Sequence, residues 1–190
     1  MKAKLFVVSA LLFICVAGCQ KPIFEDSDVK HLVSNIWFGD KITDTNEYYD
    51  YFYNGYNYYD GVNIEYGDTI FRFVSFDKKN DTTINYYNYI VYGKDNLTFN
   101  KISCVDYKIS KLKDNRIEFY RKYRYTQYSS RVQIYEHKFY IDVNSDNFVI
   151  TTVIYKLYYE DTGEIIYDYD SYQSTYTIAP KKFADEIRKL

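Results

Sequence analysis

The sequence predicts an all-β fold, an antiparallel meander of about eight to ten strands closed as a barrel ahead of a sandwich, with a short C-terminal helix. Three observations carry this. From Leu32 onward, runs rich in Tyr, Ile, Val, Phe and Thr are broken at regular intervals by turn clusters. These are Asn54-Gly55, Tyr66–Asp68, Asp77–Asp81, Gly93–Asn96, Lys113–Asn115, Ser129-Ser130, Asn144–Asn147 and Asp161–Glu164. Several runs alternate apolar and polar residues with period two. No helical period appears between the breaks until PKKFADEIRKL at the C-terminus.

The N-terminus is organised differently. Lys2 and Lys4 precede an unbroken apolar run, Leu5 to Ala17, which is shorter than the roughly 20 residues a spanning helix needs and reads as a secretory signal. The run closes on Val16-Ala17-Gly18-Cys19, which resembles the lipobox of bacterial lipoproteins. That resemblance implies cleavage before Cys19, a diacylglycerol on its thiol and an acyl chain on the freed amine, hence a stable membrane anchor. The expected organisation is residues 1–18 signal peptide, 19–31 lipidated cysteine and tether, and 32–190 a single all-β domain. Gln20 after the cysteine favours the outer membrane. Lys21 and Glu25-Asp26 partly resemble the acidic export tag of surface lipoproteins of the Bacteroidetes, with Pro22-Ile23-Phe24 interrupting it, so the periplasmic or surface face stays open.

With 24 basic and 26 acidic residues there is no basic field to attract nucleic acid, and loss of Lys2 and Lys4 with the signal makes the balance more acidic still. Cys15 leaves with the signal and Cys19 is lipidated. Cys104 is then alone, and no internal disulfide is expected.

Along the domain, the segment EYYDYFYNGYNYYD places seven tyrosines and a phenylalanine in fourteen positions. Asn54-Gly55 supplies the two positive-φ positions of a type I′ turn. Pairing outward from it sets Tyr53 opposite Tyr56 and Tyr51 opposite Tyr58 on one face of a hairpin. Two explanations compete for this richness. Tyrosine is a good strand former, and A/T-rich codons enrich Tyr, Asn, Ile, Lys and Asp together; alternatively, the tyrosines form a platform for sugar rings, lipids or peptide side chains.

In RIEFYRKYRYT, Ile117, Phe119, Tyr123 and Tyr125 share one face, Glu118, Lys122 and Arg124 the other, and Arg121 falls on the apolar side. Such an arginine snorkels at a rim, joins a buried ion pair, or meets a ligand carboxylate or phosphate. The run NFVITTVIYKLYYE is apolar on both sides, as for a strand covered on each face, and the terminal helix is one candidate for the cover. In that tail Pro180 suits the first turn, and Phe183, Ile187 and Leu190 fall at helical spacing.

Little in the chain points to catalysis. His31 lies in the tether or first strand, and His137 has Glu136 on the opposite strand face. No nucleophile elbow, zinc-binding histidine pair, phosphate loop or CxxC occurs, and no cofactor or metal is expected. Asp168 and Asp170 share a strand face and form the one carboxylate pair an envelope hydrolase would need.

The segment HLVSNIWFGD, with Trp37 five residues after Leu32, resembles the opening of lipocalin-like lipoproteins of Bacteroidetes and related bacteria, where a Leu-x-Gly-x-Trp element closes the barrel floor. DYKISKLKDNRIEFY is similar to the family's paired strands around an Asp-Asn turn. The family glycine is absent here, where Asn35 precedes Ile36-Trp37, and the spacing from Leu32 is longer. The resemblance implies Trp37 at the barrel base and an apolar cavity for a small ligand. The functional expectation is a non-enzymatic, membrane-anchored envelope lipoprotein binding a small apolar or glycan ligand. Tyr51, Tyr53, Tyr56 and Tyr58 are its first contacts and Arg121 an anion contact. The alternative is a β-sandwich interaction or adhesion module that docks on an envelope or host protein through an exposed tyrosine face.

Overall fold

The computed structural model describes residues 22–42, 68–111, 116–126, 131–169 and 173–190. Tyr51, Tyr53, Tyr56 and Tyr58, expected on a hairpin, Cys19, expected to be lipidated, and Asp170 lie outside the described residues.

The fold begins with a helix where the sequence suggested a tether. A 3₁₀ turn, Ile23–Glu25, leads into α1, Ser27–Ser34. Asp26 caps it, its carboxylate accepting from the Asp28 and Val29 amides at 2.9 and 3.4 Å. Val29, Leu32 and Val33 then fall three and four residues apart, and this short apolar stripe packs into the main core. His31 and Leu32 are therefore helical, and the first strand starts only at Ile36. A segment this short shows one apolar turn, too little for a period to stand out.

Nine strands follow among the described residues: β1 Ile36–Ile42, β2 Thr69–Asn80, β3 Thr83–Gly93, β4 Thr98–Lys111, β5 Arg116–Tyr125, β6 Gln133–Val143, β7 Asn147–Tyr159, β8 Ile165–Tyr169 and β9 Ser174–Ile178. Helix α2, Lys181–Ile187, ends the chain. Every pairing is antiparallel. Neighbours pair in sequence from β1 to β7, β7 pairs β9 through its first residues, and β9 pairs β1, so the hydrogen-bonded order returns on itself as a ring. The later part of β7 pairs β8 instead, which leaves β8 beside the circuit.

The turns fall close to where their residue types placed them. Strand β2 runs through Asp77 to Asn80, and only Asp81-Thr82 turn, held by the Asn80 side chain accepting from the Thr82 amide at 3.0 Å. Gly93 ends β3 at φ 139°, where a Cβ would stand 2.1 Å from the Asn96 carbonyl oxygen. Only glycine fits that corner.

One end of the ring is filled and closed by α1. Val29 and Leu32 meet Trp37, Phe76, Ile84, Ile109, Ile117, Phe119, Ile141, Val143 and Phe148 in a single buried cluster. Trp37 is fully buried, its indole N–H donating to the Leu32 carbonyl at 2.9 Å and its ring edge-on to His31 and Phe148. That bond satisfies both a buried donor and a carbonyl at the end of α1.

Helix α2 lies on the outside of the ring, over β1 to β4. Phe183, Ala184 and Ile187 pack on Ile36, Phe73, Tyr89 and Val91, with Phe38, Phe71, Tyr87 and Phe99 around them. Leu190, which shares the helical spacing, remains exposed. The strand beneath this helix is β3, whose Tyr89, Ile90, Val91 and Tyr92 are buried on both faces, rather than β7. Elsewhere the outer surface is charged. Arg116 faces Asp142 at 2.7 Å and Lys122 faces Glu136 at 3.0 Å directly across β5 and β6, and Glu118 reaches diagonally to Lys138 at 2.7 Å.

Candidate functional site: a polar cavity inside the ring

Beyond the filled end lies a partly open cavity of about 600 Å³, well within the range of small-molecule sites, roughly 300 to 1,000 Å³. Its wall follows from strand alternation. On β2, Arg72 shares the inward row of Ile70, Val74 and Phe76; on β3, Asn88 shares that of Ile84, Tyr86 and Ile90; on β4, a bulge opposite Asn88 and Tyr89 resets the row from Val105 and Ser103 to Ile102. A second bulge between Phe38 and Asp40 on β1 turns Asp40 inward.

Three polar pairs result. Asp40 accepts both N–H groups of the Arg72 fork. Asn88 donates to the Ser103 hydroxyl at 2.9 Å. Tyr107 and Nδ1 of His137 share a hydrogen bond at 2.8 Å. Aromatic rings stand between these pairs. Tyr107 packs edge-on to Phe139, Tyr86 edge-on to both, and Tyr176 stacks on Phe148 at 4.7 Å. The bulged Gly39 makes room for Tyr176, because a Cβ there would meet its ring at 2.7 Å.

Burial, and secondarily the charge of Arg121, push the His137 imidazole down to about 4. It is neutral at pH 7. Glu136, its sequence neighbour, faces outward and bonds Lys122 and Tyr158.

Arg121 sits directly across from His137 on the inward row of β5. Its guanidinium lies 4.4 Å from the centre of the Tyr123 ring, which itself stacks on Tyr135 at 5.0 Å. No carboxylate pairs with it among the described residues, whereas Arg72, Arg116, Arg124, Arg131 and Arg188 each have one.

The wall is not continuous at this point. Strands β3 and β4 pair from Thr98 to Lys108, and β5 and β6 pair from Arg116 to Tyr125. Strand β4 pairs β5 only through Lys108–Lys111 against Ile117–Tyr120. From Tyr107 back along β4 and from Arg121 onward along β5 the two edges are no longer paired, which leaves a slot in the ladder of hydrogen bonds around the ring.

The site residues expected from the sequence are only partly brought here. Arg121 stands beside the cavity, and His137 lines it. Asp168 pairs Lys156 through the backbone of β8. No group of three or more metal-ligating side chains occurs among the described residues. Asp40, Arg72, Asn88 and Ser103 went unsingled, although Arg72 and Asn88 carry the same signal as Arg121, a polar residue in an apolar row. The chain matches no protein family, no curated protein and no solved structure.

Proposed function

We propose that this protein is a non-enzymatic binding protein, anchored to the bacterial envelope through Cys19, that holds a small hydroxylated ligand such as a glycan unit inside its ring. The observation that carries the binding reading is the cavity of about 600 Å³ with polar pairs set among aromatic rings. The same wall argues against a wholly apolar ligand. An acyl chain would strip water from the Asp40 and Arg72 charges and from the Asn88 amide without replacing its hydrogen bonds, at a cost of about 1–3 kcal/mol per group. Asp40, beyond its bonds from Arg72, and Asn88, beyond its bond to Ser103, retain acceptor lone pairs, the groups that sugar hydroxyls use. Tyr86, Tyr107 and Tyr176 supply flat apolar faces for a sugar ring. Anchoring rests on the signal-like run closing at Val16-Ala17-Gly18-Cys19.

Native mass spectrometry of the protein purified gently from its own host tests the binding reading. A retained small-molecule mass supports it. A bare mass, with no binding in a screen of mono- and oligosaccharides, counts against it. The mass of the N-terminal peptide after detergent extraction tests the anchor, since acyl chains on Cys19 add a fixed increment.

A docking role has its own observation in β8. Ile165, Ile166 and Tyr167 are 50, 41 and 45 % exposed on a strand outside the ring circuit, a place where another chain can add a strand. Replacing Ile165 and Ile166 by lysine would abolish such docking and leave cavity binding unchanged.

A further inference from the structure

The polar pairs of the cavity describe a ligand with hydroxyls, and the remaining inward cation specifies more. Resting on the cavity reading above, we infer that the ligand carries an acidic group, a carboxylate or phosphate on a hydroxylated ring, and that Arg121 takes this group at the slot between β4 and β5.

Three observations converge on this. The first is placement. Arg121 follows Ile117 and Phe119 on the inward row and lies across from His137, which lines the cavity, so its backbone is one strand spacing from the cavity wall. The second is charge. The other inward arginine of the described residues, Arg72, is committed to both oxygens of Asp40, while Arg121 has no carboxylate within ion-pair distance among the described residues. Outward-facing basic residues of the same strand, Arg116, Lys122 and Arg124, are each paired with a carboxylate. Asp106 feels the charge of Arg121 but is ion-paired with Lys79 at 3.1 Å, so a half-buried arginine that packs on a tyrosine face and has no ion-pair partner among the described residues is prepared for an external anion. The Tyr123 ring fixes its plane, and the guanidinium fork keeps its geometry for two acceptor oxygens.

The third is access. The β4 and β5 edges part immediately after the Ile109–Phe119 and Lys108–Tyr120 pairs, at the level of Tyr107 and Arg121. The bulge at Ile102 interrupts β4 further along this same unpaired edge, five residues from Tyr107. A ligand entering through the slot passes Arg121 first and then reaches the Tyr107 and His137 pair. His137 is neutral near pH 7, so the arginine is the cation that a ligand acid meets on this wall.

The test is a calorimetric titration of the protein with glucose, glucuronate, glucose 6-phosphate and octanoate at pH 7, repeated with Arg121→Gln and Arg121→Lys. The expected result is that glucuronate or glucose 6-phosphate binds at least tenfold more tightly than glucose. Which of the two prevails identifies the acid. Arg121→Gln should erase the advantage of the acids over glucose, and Arg121→Lys should keep part of it and make the remainder sensitive to salt. Equal binding of glucose and both acids overturns the inference, as does an advantage that survives Arg121→Gln in protein of native circular dichroism. Preference for octanoate overturns the hydroxylated ring. If none of the four binds, the acidic-sugar inference is wrong, while the cavity reading is still decided independently by the mass of a co-purified ligand.

Discussion

The phenol of Tyr107 and Nδ1 of His137 lie 2.8 Å apart inside the ring, joining β4 to β6 at the level where β4 and β5 separate. This hydrogen bond spans the strand between them and ties the two sides of the slot. Because His137 is buried there as a neutral ring, its protonation is linked to the stability of the fold.

The sign of that linkage follows from the direction of the shift. The imidazole falls from 6.5 when unfolded to about 4 when folded, so between these values the unfolded chain binds the extra proton. Stability should be fully present above pH 6.5 and decline as pH falls toward 4, by on the order of 3 kcal/mol in all. Urea unfolding at half-unit steps from pH 7 to about 5, where carboxylates remain mostly ionised, measures this. In His137→Phe the slope in that window should flatten, and a slope unchanged by the substitution would assign it to other groups.

Gly39→Ala should destabilise the protein by about 1–3 kcal/mol, the usual cost of overpacking a filled site. The added methyl would meet the Tyr176 ring at 2.7 Å, and the ring cannot yield without leaving its stack on Phe148. Thermal melts with the double variant Gly39→Ala, Tyr176→Leu separate the clash from any backbone effect, since removing the ring should make the alanine nearly neutral.

Trp37→Phe keeps an aromatic ring at the closed end and removes the donor to the Leu32 carbonyl. The expected loss is about 1–3 kcal/mol, from the smaller ring and the carbonyl left without its partner. Trp37 is the sole tryptophan. Its fluorescence in the parent protein therefore reports directly on the contact between α1 and the ring. In Leu32→Ala that emission should shift to the red as water reaches the indole.

Phe183→Ala should cost about 3–5 kcal/mol, since Phe183 contacts both Phe71 and Phe73 at 5.1 Å and seals the outer face of β1 to β3. Lys122→Ala, in the charged ladder on the opposite side, should change stability by less than about 1 kcal/mol. Comparing the two by chemical denaturation distinguishes a helix that completes the core from one that merely rests on it.

Period-two alternation and turn chemistry are local, and the sequence carried them well. The inward row of β5, the corner at Gly93 and the helix from Lys181 are all legible from neighbours a few residues away. What needed the tertiary structure was partnership across the chain. Nothing in HLVSN announces that Leu32 will accept from Trp37 at the end of a short helix, because that helix gains its stability from the ring it plugs. The polar run of the candidate site was equally hidden. Asp40 faces inward only because β1 bulges at Gly39, and its partner Arg72 lies 32 residues away. Arg121 stood out in the sequence as an arginine in an apolar row. Whether that row faced a carboxylate or an opening was decided by where β4 stops pairing with β5, a property of sheet curvature and closure that no single strand encodes.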